Sequence, residues 1–232
     1  MEIEIRNKKI LARLDEFLSE FKRLSDIDPR IVPSRIIESY PVTDKQIDDV
    51  EWYASRERLD QWMAMPEKMN GAPLDYRAIP VGHLSEFHYD IWGDFYRYWR
   101  YEFGPEELGV ASCALMNYYP EKGLTGWHTN WDANAYQLLL TWSEDGDGYF
   151  EYLDLKTNEI VRVQDVPGWQ ARWYYFARKD EPEHHCWHAC YTNSPRFTMA
   201  FKFSNGGLDK ESDAGAQRLR DLAIAELMSD EE

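Results

Sequence analysis

The sequence has few cysteines and no long apolar run. Three cysteines without framework spacing argue against a disulfide scaffold and predict a reducing compartment. No stretch approaches the roughly 18 apolar residues that a membrane helix needs, and the charged N-terminal stretch lacks the apolar region of a signal peptide. We therefore expect a soluble, cytoplasmic protein with no membrane contact.

Positive charge is also scarce. Lysine and arginine together number 26, against 42 aspartates and glutamates, so the net charge is −16. An acidic surface repels phosphate backbones, and no dense basic run offsets it. Nucleic acid is therefore not an expected partner. The sequence also lacks internal repeats and low-complexity segments, and it carries no signal for a particular oligomeric state.

The chain does have enough apolar residues for a sizeable core. Its 232 residues are 44% hydrophobic and 15% aromatic, which fits one compact domain with elaborations. We interpret the many rings mainly as core residues. The pattern divides the chain into an N-terminal helical elaboration (1–104), a strand-rich core (105–205) and a C-terminal helix with an acidic tail (206–232).

Helical periodicity appears before and after the strand-rich core. Apolar residues at helical spacing predict a first helix that ends near Asp28, and a capping-box pattern at Thr43 starts a second helix running to Met65. The aromatic-rich segment 84–103 predicts a third helix, and the segment 210–227 predicts a last one. We expect these helices to pack against a sheet.

Short strands follow residue 104, with turn signals between them. The predicted strands are 110–119, 136–142, 149–153, 159–163, 169–176 and 196–203. Turns spaced by about eight to twelve residues are typical of antiparallel sandwiches and jelly rolls. The predicted fold class is therefore mainly β with flanking helices: a double-stranded β-helix, or cupin-like jelly roll, between N-terminal helices and a C-terminal helix.

The chemistry centres on the stretch Asn117 to Asp132, read with two later residues. His128 lies in this stretch, His188 follows 60 residues later, and Arg196 comes eight residues after that. Two histidines and a carboxylate with open metal positions are the signature of non-haem Fe(II) oxygenases. An arginine at the start of a following strand can hold a carboxylate bidentately.

These residues resemble those of the 2-oxoglutarate- and Fe(II)-dependent dioxygenases. The motif GWHTN, the DGYFEY hairpin, the WYYF strand and the ending HACYTNSPRFTMAFKF are similar to the prolyl-hydroxylase type. The Asn-x-Tyr pattern of Asn117 and Tyr119 is similar to that of the alkylated-base demethylases. The resemblance covers residues 112–203.

The resemblance implies a role for each matching residue. It implies that His128 and His188 ligate Fe(II) and that Arg196 binds the distal carboxylate of the co-substrate 2-oxoglutarate. The co-substrate pocket would be lined by Asn117 and Tyr119, together with Tyr136 or Gln137. The implied activity is hydroxylation of a C–H bond in a small molecule, an amino acid or a protein side chain.

One position departs from the family pattern, because Asn130 stands where a carboxylate ligand is expected. Three interpretations remain open. Asn130 coordinates through its amide oxygen, or leaves a position to water or an anion. Alternatively, Asp132 supplies the carboxylate, which requires a chain turn because an extended strand would separate it from His128 by about 13 Å. In the third, the site is degenerate, and the chain is a catalytically inactive jelly-roll module that binds a ligand or partner.

Other polar residues receive structural interpretations. We place His184 and His185 on a loop and treat Cys186 and Cys190 as small core residues, because no second ligand pair for zinc stands nearby. Arg172 would be a second anchor if its strand face lined the barrel. We favour a solvent-facing position for it.

Overall fold

The computed structural model of the chain describes residues 1–27, 50–65, 75–81, 97, 110–130, 136–177, 181–203 and 213–230. The helices are α1 (Lys8–Ile27), α2 (Arg56–Met63) and α3 (Asp213–Leu227), with 3₁₀ segments at Val50–Ala54 and Pro182–His184. The strands are β1 (Glu2–Ile3), β2 (Tyr76–Arg77), β3 (Ile79–Pro80), β4 (Val110–Tyr119), β5 (Gly123–His128), β6 (Tyr136–Ser143), β7 (Gly148–Asp154), β8 (Glu159–Gln164), β9 (Gly168–Tyr175), β10 (His188–Thr192) and β11 (Arg196–Phe203).

Two antiparallel sheets face each other across the core. The larger sheet has the order β1-β9-β6-β11-β4-β3, and the smaller has the order β2-β5-β10-β7-β8. From β4 to β11 the chain switches sheet at every connection except the β7–β8 hairpin. Eight strands wound in this way form a double-stranded β-helix. The strand order therefore confirms the predicted jelly roll with flanking helices.

Helices α1 and α3 cover the outer face of the larger sheet. Strand alternation puts Phe197, Met199 and Phe201 of β11 on this face, where they join the apolar stripe of α1 and the buried leucines of α3. Phe17 of α1 meets Phe197 with ring centroids 5.6 Å apart. Burying each such side chain contributes about 1.5–3 kcal/mol. The odd-numbered residues of β11 therefore pack against the helices, and its even-numbered residues face the barrel interior.

The N-terminus of α1 is joined to the C-terminal end of α3. The Asn7 side chain accepts a hydrogen bond from the Ile10 amide at 3.1 Å, as an N-cap does. Its amide group also donates to the Ser229 hydroxyl and to the Glu226 carbonyl. One buried asparagine thus starts the first helix and anchors the end of the last.

The outer face of the smaller sheet is covered by the 3₁₀ segment Val50–Ala54 and by α2. The prediction of one continuous helix from Thr43 to Met65 is wrong at Ser55, while residues 43–49 lie outside the described ranges. Ser55 has an extended backbone and its side chain accepts from the Arg58 amide, so it caps α2 and separates it from the 3₁₀ segment. Arg58 then donates two hydrogen bonds to the buried Asp75, at 2.7 and 2.8 Å.

The alternating strands lie where the sequence predicts them. Segments 110–119 and 196–203 match β4 and β11, and the other predicted strands differ by one or two residues at their ends. The predicted C-terminal helix is confirmed over Asp213–Leu227, and residues 210–212 lie outside the described ranges. The third predicted helix, 84–103, lies outside the described residues apart from position 97. In the described ranges, no helix combines the length and apolar character needed to cross a membrane.

We expect a pH-dependent stability from Glu151 of β7, which is fully buried on the outer face of the smaller sheet. Its Oε2 accepts from Arg162 at 3.1 Å, while its Oε1 has no hydrogen-bond partner among the described residues. Desolvation raises the pKa of this carboxyl to about 7 against the opposing effect of Arg162. The folded protein therefore holds this proton more tightly than the unfolded chain, and stability falls as pH rises from about 4.5 to about 7.

Glu151→Gln is expected to remove this loss and to raise the free energy of unfolding at pH 8 by about 1–3 kcal/mol. Urea unfolding at pH 5 and pH 8 measures the effect, with Glu159→Gln, an exposed residue on β8, as the control. A Glu151→Gln protein with the pH dependence of the wild type would contradict the assignment.

Candidate functional site

The two candidate metal-binding histidines meet across neighbouring strands. β5 ends on His128, β10 begins on His188, and the two residues are register partners. Their ring centroids lie 4.0 Å apart, and both residues are nearly buried. The structure therefore brings together two imidazoles that are 60 residues apart in sequence.

Each histidine ring is oriented by a backbone carbonyl. Nδ1 of His128 lies 2.8 Å from the Gly126 carbonyl oxygen, and Nδ1 of His188 lies 2.8 Å from that of Cys186. A ring that donates from Nδ1 carries its lone pair on Nε2, the arrangement usual for metal-binding histidine. Both rings thus belong to the tautomer that binds a metal through Nε2.

Burial also keeps the two rings uncharged. Desolvation lowers the pKa of His128 to about 4, and hydrogen bonds that the ring donates to the backbones of Gly126 and His188 act in the opposite direction. The pKa of His188 falls well below its usual value through desolvation and through the neighbouring His128. Neutral imidazole is the form that binds metal, so near pH 7 the pair is ready to bind a cation.

The third ligand position is not filled by an obvious carboxylate. Among the described residues, no group of three or more His, Cys, Asp or Glu side chains is placed to hold a metal ion. Asn130 lies two residues beyond His128 and is partly exposed. Asp132 lies outside the described ranges. Both candidates for the third ligand therefore remain predictions.

Arg196 lies inside the barrel at the opposite end from the histidines. Its Nε donates to Asp165 Oδ2 at 2.7 Å and its Nη1 donates to Thr198 Oγ1 at 2.7 Å. The guanidinium carbon lies 5.4 Å from the centroid of the Tyr119 ring. Burial alone would lower the pKa of Arg196, but the Asp165 carboxylate raises it, so the group stays charged.

Arg172 is inside the barrel as well, which corrects the prediction that it faces solvent. Its side chain is only 2% exposed, and its Nη1 donates to Asp165 Oδ1 at 3.0 Å. Alternation on β9 assigns Arg172 and Gln170 to one face, but it does not say which face is the inner one. The outer face is instead taken by Ala171 and Trp173, which pack against α1. Sequence reasoning missed Asp165, which joins both arginines.

Asn117 and Tyr119 share a hydrogen-bonded network in the same interior. The Asn117 amide donates to the Tyr119 hydroxyl at 3.2 Å, and that hydroxyl lies 2.9 Å from Thr125 Oγ1. Tyr76 of β2 shares a further hydrogen bond with Asn117. Desolvation raises the pKa of Tyr119 well above its usual value, so its hydroxyl stays protonated and can donate. Sequence reasoning missed Thr125 and Tyr76, which lie in segments with no strand signal.

Tyr136 does not line the barrel, which corrects its assignment to the co-substrate pocket. Its ring packs on the outer face of the larger sheet, against Trp173 and Tyr175. The next residue, Gln137, takes the inner face with Leu139 because strand residues alternate. Gln137 is 2% exposed and its Nε2 has no hydrogen-bond partner among the described residues. A buried unpaired amide in this interior leaves a donor for ordered water or a polar ligand.

The segment around His188 supports the structural interpretation of its other residues. His184 is exposed at the end of a 3₁₀ segment, whereas His185 is buried. Cys190 belongs to the interior cluster and Cys186 packs against it. Desolvation raises the pKa of the Cys186 thiol to about 12, which makes it a poor nucleophile.

The two histidines and Arg196 lie at opposite ends of the same interior. His188 begins β10 and Thr192 ends it, four residues or roughly 13 Å further along at 3.3 Å per residue. Arg196 begins the next strand and donates from Nη1 to Thr198 Oγ1 inside the barrel. Two neutral imidazoles at one end and a charged guanidinium at the other can bind a metal and a carboxylate, respectively.

Comparison with known proteins gives weak similarities. A scan against family models finds no match, and a search of curated proteins finds no significant match. Among solved structures, a Pseudomonas putida prolyl-4-hydroxylase is 12% identical over 89% of this chain and 92% of its own, with a TM-score of 0.41. A 2OG-Fe(II) oxygenase family oxidoreductase from Burkholderia pseudomallei is 10% identical over 76% of this chain and 100% of its own, with a TM-score of 0.35.

Another match is Peruvianin-I, a cysteine peptidase from Thevetia peruviana latex. It is 14% identical over 40% of this chain, with a TM-score of 0.28, and the match spans only 50% of that protein. At these TM-scores the similarities carry no weight for the function. The fold assignment follows from the strand order described above.

Proposed function

We propose that this protein is an Fe(II)- and 2-oxoglutarate-dependent oxygenase that hydroxylates a C–H bond of its substrate. The observation that carries the proposal is the buried pair His128 and His188, oriented by backbone carbonyls and held neutral. Imidazole suits iron, although zinc, copper and nickel bind it too. The charged Arg196 at the other end of the same interior separates this proposal from a simple two-histidine metal site.

In this proposal each interior residue has a stated role. His128 and His188 hold the metal through Nε2, Arg196 binds the distal carboxylate of 2-oxoglutarate, and Tyr119 supports Arg196 through its ring. A bound metal would supply dioxygen activation, in which one oxygen atom would convert 2-oxoglutarate into succinate and CO₂ and the other would enter the substrate. The aromatic rings of Phe150 and Phe176 beside His188 keep bulk water away from the reacting centre.

The charge of the protein and its sequence resemblance indicate only a broad class of substrate. The acidic surface disfavours nucleic acid, and the resemblance to prolyl hydroxylases favours an amino acid or a protein side chain. Formation of succinate from 2-oxoglutarate in the presence of Fe(II) and ascorbate tests the reaction, first without and then with candidate substrates. No succinate above a metal-free control, even with a panel of amino acids and peptides, would contradict the oxygenase.

The alternative is a catalytically inactive jelly roll that binds a ligand or partner through the same interior. It is favoured by the absence of a third carboxylate, histidine or cysteine ligand among the described residues. Metal binding distinguishes the oxygenase from the binding module. An oxygenase requires Fe(II) on His128 and His188, whereas a binding module that has lost its metal keeps its affinity for a ligand after chelation.

Asn130→Asp is expected to tighten Fe(II) binding by about 10-fold or more, because a carboxylate replaces a neutral amide at the third ligand position. Anaerobic competition with a chromogenic chelator measures the affinity. Asn158→Asp, on the exposed β7–β8 turn, adds the same charge away from the site and serves as the control. An unchanged affinity in Asn130→Asp, together with loss of iron in Asp132→Ala, would instead identify Asp132 as the third ligand.

A further inference from the structure

Three charged side chains form one buried cluster at the end of the barrel opposite the two histidines. Asp165 is fully buried, and its two oxygens are divided between Arg172 Nη1 at 3.0 Å and Arg196 Nε at 2.7 Å. The arginine side chains are 2% and 1% exposed. Each arginine therefore depends on the same carboxylate for its charge partner.

The cluster carries an excess of positive charge. Two guanidinium groups share one carboxylate, so one positive charge is left over. Glu2 also approaches Arg172, at 3.5 Å, but its side chain is 70% exposed and is screened by solvent. An uncompensated buried charge is costly, so this cluster favours a partner of opposite charge.

The two arginines differ in how their terminal nitrogens are used. Nη2 of Arg172 donates to the Gln164 carbonyl and to Gln170 Oε1, both at 2.6 Å, besides its contact with Glu2, whereas its Nε has no hydrogen-bond partner among the described residues. Within the same part of the chain, the hydrogen bonds of Arg196 run from Nε to Asp165 and from Nη1 to Thr198. Both terminal nitrogens of Arg172 are therefore bound to the protein, while Nη2 of Arg196 remains for a ligand.

We propose that Arg172 is a positioning residue that neutralises Asp165, so that Arg196 keeps its full charge for the distal carboxylate of a dicarboxylate ligand. Without Arg172, the Asp165–Arg196 pair would be neutral and the incoming carboxylate would meet Asp165 as a repelling neighbour. Asp165 in turn fixes Arg196 through Nε, which leaves the terminal nitrogens for other partners. This inference rests on the proposed function, because it takes 2-oxoglutarate as the ligand of Arg196.

The test compares two ligands on the Mn(II)-loaded protein by isothermal titration calorimetry. 2-Oxoglutarate has a distal carboxylate, and 2-oxopentanoate has the same chain length without it. The ratio of their dissociation constants isolates the contribution of the distal carboxylate. In Arg172→Gln, the preference for 2-oxoglutarate is expected to fall by about 10-fold or more, the range of one charge-assisted hydrogen bond. The affinity for 2-oxopentanoate is expected to stay unchanged.

Charge-restoring variants separate this role from a merely structural one. Arg172→Lys keeps the charge and is expected to keep most of the preference. The double variant Asp165→Asn/Arg172→Gln loses one charge of each sign and keeps Arg196 positive. Its preference for 2-oxoglutarate over 2-oxopentanoate should therefore return to within about 3-fold of the wild type. This double variant removes the Asp165 charge together with that of its partner, so it tests the proposal even if Arg172→Gln does not fold.

Each outcome distinguishes the inference from the proposed function. A wild-type protein that binds neither ligand, or binds both equally, would overturn the co-substrate assignment and this inference with it. A wild-type preference that persists unchanged in Arg172→Gln would overturn the inference alone. So would a double variant that folds but lacks the preference, because its charge balance equals that of the wild type.

Discussion

Replacing His188 with alanine is expected to weaken Fe(II) binding by about 100-fold or more. The ring is one of the two imidazoles that meet at the ends of β5 and β10, and its Nδ1–carbonyl contact aims the lone pair on Nε2. Loss of an outer-shell partner of a metal ligand already costs about 10–100-fold, so loss of the ligand itself should cost at least the upper end of that range. Anaerobic equilibrium dialysis measures the affinity.

Two further variants control for damage to the fold. His188 packs against Phe150 and Phe176, so alanine leaves a cavity that lowers stability. His188→Phe keeps the ring volume without a lone pair and should lose the metal equally. His184→Ala removes an exposed histidine four residues earlier and should bind Fe(II) like the wild type. Retention of wild-type iron affinity by both His188 variants would exclude His188 as a ligand.

Replacing Arg196 with methionine is expected to weaken 2-oxoglutarate binding by about 30-fold or more, while Fe(II) affinity stays within about 3-fold. Methionine approximates the length of the arginine stem but provides no donors. Asp165 keeps Arg172 as its charge partner in this variant, so no buried carboxylate is left unpaired. The effect is therefore confined to the co-substrate.

Titration of Fe(II) into the metal-free protein measures the metal affinity. Titration of 2-oxoglutarate into the Mn(II)-loaded protein measures the co-substrate affinity. Arg13→Met, which removes a half-exposed positive charge from α1, serves as the matched control. Equal loss of both affinities in Arg196→Met would mean that Arg196 supports the fold of the interior rather than binding the co-substrate.

The strands with period-2 alternation or a long apolar run could be predicted from the sequence, whereas β5 and β10, which show neither pattern, could not. β11 alternates because its outer face packs on α1 while its inner face carries Arg196 and Thr198. β5 is buried along its whole length, has two glycines and shows no alternation. β10 is short, is also fully buried, and shifts its register against β5 just after His188. The strands that carry the histidines were thus the hardest to find.

In the candidate site, residues with a recognisable sequence pattern could be predicted, and residues whose role depends on tertiary contacts could not. His128, His188 and Arg196 could be selected because their residue types and order match a known chemistry. Asp165 could not, because an acidic residue next to Val166, Pro167 and Gly168 looks like part of an ordinary turn. Its role depends on two arginines from different strands that meet only in the fold. Alternation likewise separated Tyr136 from Gln137 but could not say which of them faces inwards.

The most direct test of the oxygenase is an anaerobic titration of the metal-free protein with Fe(II) and then with 2-oxoglutarate, followed by visible absorbance. The proposed function predicts retention of one equivalent of iron and a saturable absorbance change on adding 2-oxoglutarate. Both should disappear in His188→Ala, and the second should require far more 2-oxoglutarate in Arg196→Met. A wild-type protein that retains no iron and shows no absorbance change would contradict the oxygenase and favour the binding module.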